Sequence, residues 1–289
     1  MTQRVLVVSA TTLELLDTCQ VKFDLAKNLG LSPINRDGAN DEMDKGNLVH
    51  HALALHYQGV IDKHVPPMSQ LEDEMRTLAV NRTDLTDADV QKSITTVHKY
   101  FDHYVDDQWE PLAVERPFAV KLYESEELVI LFQGKIDLIV RTRSGQSMIV
   151  DHKTTSQKRY AHALHHQNLG YCFAGGAFHF CLNYIGFQNS RDINDKFHRD
   201  IVGYNKRQIH EWQLEAAALV LSAQAQFDQG WTRRNITNCW KYGRKCEFLR
   251  ICESDPEDRE RIVKAFFTVR KGEGLWKRPD VSSSNSEQR

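Results

Sequence analysis

The stretch FQGKIDLIVRTRSGQSMIVDHKTT, residues 132–155, constrains the fold more than any other part of the chain. Lys135 to Arg141 alternates well enough for a strand, Arg143-Ser144-Gly145 reads as a turn, and Ser147 to Val150 forms a second strand running into Asp151, His152 and Lys153. Two apolar strands about so short a turn predict a hairpin, and pairing around it sets Asp137 near Asp151. Residues two apart on a strand share a face, so Asp151 and Lys153 point the same way.

Two carboxylates and an amine at the ends of neighbouring strands suit a hard divalent cation. Mg²⁺ and Mn²⁺ choose oxygen ligands and are held by one or two carboxylates plus water and substrate phosphate. Such an ion polarises a phosphoryl oxygen and lowers the pKa of bound water. A lysine beside it can orient that water or neutralise charge on phosphorus. D-x-K by itself is equally consistent with a surface hairpin carrying two unrelated aspartates; the wider pattern argues against that.

In that wider pattern, G-x-x-D (Gly134 to Asp137), D-x-K-T (Asp151 to Thr154) and Q-x-x-x-Y (Gln167 to Tyr171) follow in order. Together they resemble the PD-(D/E)XK nucleases of the RecB-like branch. That branch includes the nuclease domains of recombination helicase–nucleases, the AddB type, CRISPR adaptation nucleases and many phage exonucleases. Upstream, Gly46 to His50 resembles the branch's G-x-x-x-H helix. Val114-Glu115, followed by Phe118 and Val120, resembles its acidic strand.

The resemblance implies an α/β, restriction-endonuclease-like core, a mixed central sheet flanked by helices. It implies Mg²⁺ or Mn²⁺ held by His50, Asp137, Asp151 and the carbonyl of His152, with Lys153 as the catalytic lysine. Gln167 and Tyr171, one helical turn apart, fall to DNA contact and active-site support. The implied activity is DNA hydrolysis, as an exonuclease on single strands or DNA ends in recombination, repair or phage DNA processing. Alternatives are a structure-selective endonuclease on the same core, or a non-catalytic DNA-binding subunit of a helicase–nuclease or CRISPR adaptation complex. Intact Asp137, Asp151 and Lys153 speak against the last. A zinc-stapled RNA-processing or adaptor protein is a further class.

The cysteines carry a second signal. The chain has six and shows no signal-peptide pattern, so a disulfide framework is not the default expectation. Cys239, Cys246 and Cys252 cluster, and Cys19 stands far upstream. Four thiolates close either a zinc site or an iron–sulfur cluster, and spacing does not choose between them. The plainer alternative is a set of small buried side chains, the expectation for Cys172 and Cys181. The RecB-like iron–sulfur nucleases have one N-terminal cysteine and three near the C-terminus. Resemblance to them implies a 4Fe–4S cluster, with zinc as the alternative, joining the N- and C-terminal segments in a structural role.

Because the cysteines bracket motifs running from His50 to Tyr171, residues 1–278 are expected to form one domain. The tail, 279–289, reads as disordered by composition. A net charge of −2 argues against tight non-specific coating of DNA, where a basic face dominates affinity. Lys158 and Arg159 are candidate phosphate contacts; Arg233-Arg234, Lys241 with Arg244-Lys245, and Lys264 with Arg270-Lys271 are further basic stretches. Each is equally readable as a solvated face. A mean hydropathy of −0.52 is that of a soluble protein and no apolar run approaches membrane length; a cytoplasmic setting, phage or bacterial, is what the resemblance implies. No Walker A motif is present, so a helicase, recombinase or CRISPR partner would supply any motor.

Local signals place the scaffold. A helix capped by Thr11 or Thr12 is expected to run to Leu29 and end at Gly30. Another spans about 44–57 and carries His50. Thr86 with Asp89 opens a third, with Val90, Ile94, Val97, Phe101 and Tyr104 as its apolar stripe. Strands are expected near 112–122, 128–132, 135–141, 147–153 and 180–187, with helices over 160–177 and 207–227. Residues 189–200 read as a polar loop before a short strand at 201–204. His162 and His166 have the spacing of a helical metal pair but read as solvent- or DNA-facing.

Overall fold

A computed structural model describes residues 3–34, 39–80, 82, 85–155, 164–188, 190, 192–241 and 243–269, with 39–42 described by backbone alone. Lys158, Arg159, His162, Arg270, Lys271 and the tail lie outside the described residues. In chain order come β1 (Arg4–Val8), α1 (Ala10–Thr18), α2 (Gln20–Phe23), β2 (Leu31–Pro33), α3 (Ala39–Ile61), α4 (Met68–Val80) and α5 (Asp87–His103). β3 (Glu110–Glu124), β4 (Leu128–Arg141), β5 (Ser147–Thr155), α6 (His166–Gly175), β6 (His179–Gly186), β7 (Phe197–Gly203) and α7 (Lys206–Asp228) follow. The last are β8 (Trp240–Lys241), β9 (Arg244–Lys245), α8 (Leu249–Glu253), α9 (Arg259–Phe266) and β10 (Phe267–Val269).

The chain folds as two compact units. The first comprises Met1–Arg36, Ala119–Gln133 and Glu211–Arg289; the second comprises Asp37–Phe118 and Gly134–His210.

The second unit is built on a mixed sheet flanked by helices. β4 and β5 form the expected antiparallel hairpin, Leu138 opposite Val150 and Arg141 opposite Ser147, and Gly145 takes the left-handed backbone the turn needs (φ +80°). β5 pairs with β6 in parallel, and β6 with β7 antiparallel. Strands covered on both faces read as continuous apolar runs, as Met148–Val150 and Phe180–Leu182 do. Alternation sorts the faces. Met148, Val150, Leu138 and Val140 share a core with Leu48, Val49 and Leu53 of α3 and Ile94, Val97 and Tyr100 of α5. Ile149 and Ile136 point the other way, where Gly175 of α6 comes so close that a Cβ there would lie 2.5 Å from Ile149. Each large apolar side chain fully buried in such a core contributes roughly 1.5–3 kcal/mol.

α5 starts as its sequence dictates. Thr86 accepts from the Asp89 N–H and Asp89 accepts in return, a complete capping box. Its stripe buries Val90, Ile94, Val97 and Tyr100, with Phe101 and Tyr104 packed at the edge.

In the first unit, β1 runs parallel to the opening half of β4, from Arg4 opposite Leu128 to Val8 opposite Phe132. Phe132 meets Trp212 of α7 edge-on at 5.3 Å. β2 and β10 pair antiparallel over a small core of Leu25, Leu31, Phe248, Ile251 and Phe267.

Several expectations are corrected. The first helix is capped by Ser9, not Thr11 or Thr12, and breaks at Cys19, whose extended backbone (φ −173°, ψ 118°) ends α1 and begins α2. The strands expected at 128–132 and 135–141 are one continuous β4. The expected helix over 160–177 is described only as His166–Gly175. Part of the expected polar loop is strand, because β7 begins at Phe197.

Candidate active site

One step beyond the last paired residues of the hairpin stand Asp137 and Asp151. The His152 backbone N–H donates to Asp137 Oδ2 at 2.9 Å, which locks the two strand ends together. Asp151 is buried. Gln167 Nε2 donates to its Oδ1 at 2.6 Å, and Lys153 Nζ lies 3.0 Å from its Oδ2. Gln167 reaches this point because it sits in the first turn of α6, where its own N–H is capped by His165 Nδ1.

α3 supplies His50, whose Nδ1 lies 3.6 Å from Asp137 Oδ2. Gly46, one turn earlier on the same helix face, is what admits the helix: a Cβ there would collide with Thr154 Oγ1 on β5. β3 supplies Glu115. Its backbone is left-handed (φ +48°), costly for a residue with a side chain and common where a functional group is aimed. Ligand atoms of His50, Glu115 and Asp137 all lie within 4.8 Å of one another. Glu115 also pairs with Lys135. The sequence placed Glu115 on an acidic strand without making it a ligand; a lone carboxylate between Val114 and Pro117 was the available signal.

Burial governs the charges. It pushes the Asp151 carboxyl up to about 6, against the nearby Lys153; Asp137 adds to the rise. Burial lowers His50 despite the facing Asp137, favouring the neutral imidazole a metal needs. A hydrogen bond to the His152 backbone also bears on His50. His152 itself is lowered well below the ordinary imidazole range, first by burial and then by His50. Its ring stacks on Tyr57 and its Nδ1 accepts from Asn183 Nδ2 at 2.7 Å. Asn183 also donates to Tyr100 Oη at 2.8 Å. Arg199 donates to Tyr100 and, through two nitrogens, to Asp107. A hydrogen-bonded file thus runs inward from the middle of the D-x-K motif.

Tyr171 packs edge-on against Phe118 with centroids 5.5 Å apart. Gly134 makes room for both rings, since a Cβ there would lie 2.7 Å from Phe118. Gly46, His50, His152, Lys153, Thr154 and Thr155 line a cavity of about 300 Å³.

The residues present fit a divalent cation. Asp151 Oδ2 is buried with the Lys153 ammonium at 3.0 Å as its close partner, and the His–Glu–Asp group offers oxygen ligands and one nitrogen at chelating range. The structure therefore brings together His50, Asp137, Asp151, His152, Lys153 and Gln167, adds Glu115, and sets Tyr171 in the packing layer beside Gly134. The chain matches the family model of the PD-(D/E)XK nuclease superfamily over residues 7–253.

The chain belongs to the PD-(D/E)XK nuclease superfamily. Nucleases of this superfamily are phosphodiesterases that act on DNA and generally use Mg²⁺ or Mn²⁺. No curated protein matches the chain. Among solved structures, one described as "Crystal structure of SSO0001" is similar, with 14% identity, covering 64% of this chain and 88% of that one at a TM-score of 0.31. No helix among the described residues of this nuclease-family chain is long and apolar enough to cross a membrane.

In the first unit, Cys19, Cys239, Cys246 and Cys252 are free thiols that line one cavity of about 340 Å³. The break after α1 puts Cys19 there: its Sγ accepts from the Asn235 N–H at 3.5 Å, and Asn238 Nδ2 donates to the Thr18 carbonyl at 2.8 Å. The β8–β9 turn brings the Cys246 N–H to the Cys239 carbonyl at 2.8 Å. Lys22, Arg234, Lys241, Arg244 and Lys245 surround the cavity. Cys172 and Cys181 are buried as expected, their thiols pushed up to about 12 by burial.

Proposed function

We propose that the chain is a metal-dependent deoxyribonuclease, acting as an exonuclease on single-stranded DNA or DNA ends. The convergence of His50, Glu115, Asp137, Asp151 and Lys153 at one edge of the mixed sheet carries this reading. His50, Glu115, Asp137 and Asp151 would hold a divalent cation, which would supply Lewis-acid polarisation of the phosphodiester and acidification of water. The protein's own groups do the rest. Lys153 holds a positive charge where negative charge builds on the phosphorus oxygens. Gln167 fixes the Asp151 carboxylate through Oδ1, and the His152 N–H fixes Asp137. Tyr171 supports the site through Phe118.

The second part of the reading is a 4Fe–4S cluster on Cys19, Cys239, Cys246 and Cys252. Four thiolates on one zinc ion stand about 3.8 Å apart, given Zn–S bonds of about 2.3 Å in a tetrahedron. Among the described residues, the group of ligand atoms gathered within 4.8 Å is the His50 set, not the thiols. Four thiols lining one cavity of about 340 Å³ leave room for a polyatomic cluster. Residues 1–278 are read as one nuclease domain comprising both units, consistent with a family match that runs through the sequence of each.

Cleavage of end-labelled linear single strands with Mg²⁺ or Mn²⁺ tests the function. Asp151→Ala and Lys153→Ala should each lower the rate by at least about 10²-fold, with circular dichroism unchanged. Undiminished cleavage by both variants rejects the site. Rapid cutting of a covalently closed circular strand would make the enzyme an endonuclease instead.

A further inference from the structure

We propose that Lys92, Lys99 and Lys196 form a second anion site, which holds backbone phosphates of the DNA strand beside the catalytic cavity. The inference rests on the nuclease reading above and deepens it. While the apolar stripe of α5 faces the core, another face of the helix presents Lys92, Thr95 and Lys99 to a cavity of about 410 Å³. Phe187, Gln188 and Lys196 close it from the segment that follows β6. No aspartate or glutamate lines this cavity, and among the described residues none of the three lysines makes an ion pair.

Scattered surface lysines are ordinarily solvated and unremarkable in their effect on one another. These three are close enough to interact: the Lys196 ammonium is pushed down first by burial, then by Lys99 and Lys92. Lys196 is also held in place, because its carbonyl accepts from the Gly186 N–H at 2.7 Å. Three gathered cations without a counter-charge are complementary to a polyanion. Lys92 and Lys99 stand two helical turns apart, about 10.5 Å along the axis, against about 3.4 Å per phosphate in a stacked strand. The cluster thus spans more than one phosphate.

Its position links it to the chemistry. Thr155 ends the strand that carries Asp151 and Lys153, and it lines the catalytic cavity. The Phe187 N–H donates to the Thr155 carbonyl at 3.1 Å, and Phe187 lines the lysine cavity. One backbone hydrogen bond thus ties the wall of the catalytic cavity to the wall of the lysine cavity.

The test compares wild type with the triple variant Lys92→Gln, Lys99→Gln, Lys196→Gln, and with the matching triple Arg variant. Binding of a fluorescent single-stranded oligodeoxynucleotide is followed by anisotropy in chelator over a range of salt. Losing three phosphate contacts should flatten the slope of log affinity against log salt by about 2, and the Arg variant should restore it. Hydrolysis of bis(p-nitrophenyl) phosphate, a diester with no neighbouring phosphates, should stay at the wild-type rate in both. An unchanged salt slope in the Gln variant overturns the anion site. Saturable binding of inorganic phosphate with DNA affinity unaltered overturns it too. Failure of the nuclease reading shows elsewhere, as equal hydrolysis of the small diester by wild type and Asp151→Ala.

Discussion

Asp151 is an acid kept where an ion would be costly without a partner, and its titration follows from that. Its carboxyl rises from an ordinary 3.8 to about 6, chiefly through burial. In metal-free protein the folded state thus favours the protonated form. The stability this group contributes is complete below about pH 4 and is lost as pH climbs through about 6. Melting temperatures in chelator should fall more steeply across that window for wild type than for Asp151→Asn. Added Mg²⁺ or Mn²⁺ should offset the loss above pH 6, since the cation binds the ionised form. Parallel curves for the two proteins would remove burial of this carboxylate as the cause. His152 makes the same point from the neutral side. It sits where β-strand alternation calls for a core residue, and Asn183 and Tyr57 make a polar ring tolerable there.

At the level of elements, the approach of α3 to β5 is set by what Gly46 lacks. Gly46→Val should cost about 1–3 kcal/mol by overpacking against Thr154 and lower DNA cleavage by shifting Lys153; denaturant unfolding and the strand assay read the two effects. Wild-type values in both would mean the helix does not need that gap. The same helix shows what a sequence can reveal. Gly46 and His50 were read only through the resemblance to a G-x-x-x-H helix, whereas the β4–β5 hairpin was legible because its turn and alternation agree. The capping box of α5 was legible for a similar reason, as all its chemistry is local. Of β7, only the end was read as strand; its first half was taken for polar loop. Beside the buried Phe197 that half carries Arg199, which a polar-loop reading takes for solvent exposure. In the fold its guanidinium binds Asp107 and lies 3.7 Å over Tyr104 and 3.4 Å over Trp109, partners far away in sequence. α4 escaped notice because only Leu71 and Met75 of its face are buried. β4 was split at Gly134, whose missing side chain serves Phe118 and Tyr171 and does not end the strand. Glu115 needed three dimensions, because only the fold shows its left-handed backbone turning the carboxylate toward His50.

For the whole molecule, the thiol cavity and the carboxylate site lie in different units, so their losses should be separable. Protein prepared without oxygen should be brown and contain iron. Cys19→Ser or Cys252→Ser should bleach it, whereas Asp151→Ala should leave the visible absorbance intact. Stoichiometric zinc with no iron would reject the cluster. The chain passes between the units at 36/37, 118/119, 133/134 and 210/211. Three of those passages fall inside β3, β4 and α7. Trimming from either terminus, or excising a single block, therefore cannot release one half intact: every such cut severs a strand or a helix, or strips one half of a piece of itself. Shuffling by simple gene fusion has no clean seam to use, and the acid-bearing half and the sulfur-bearing half are bound to be inherited together.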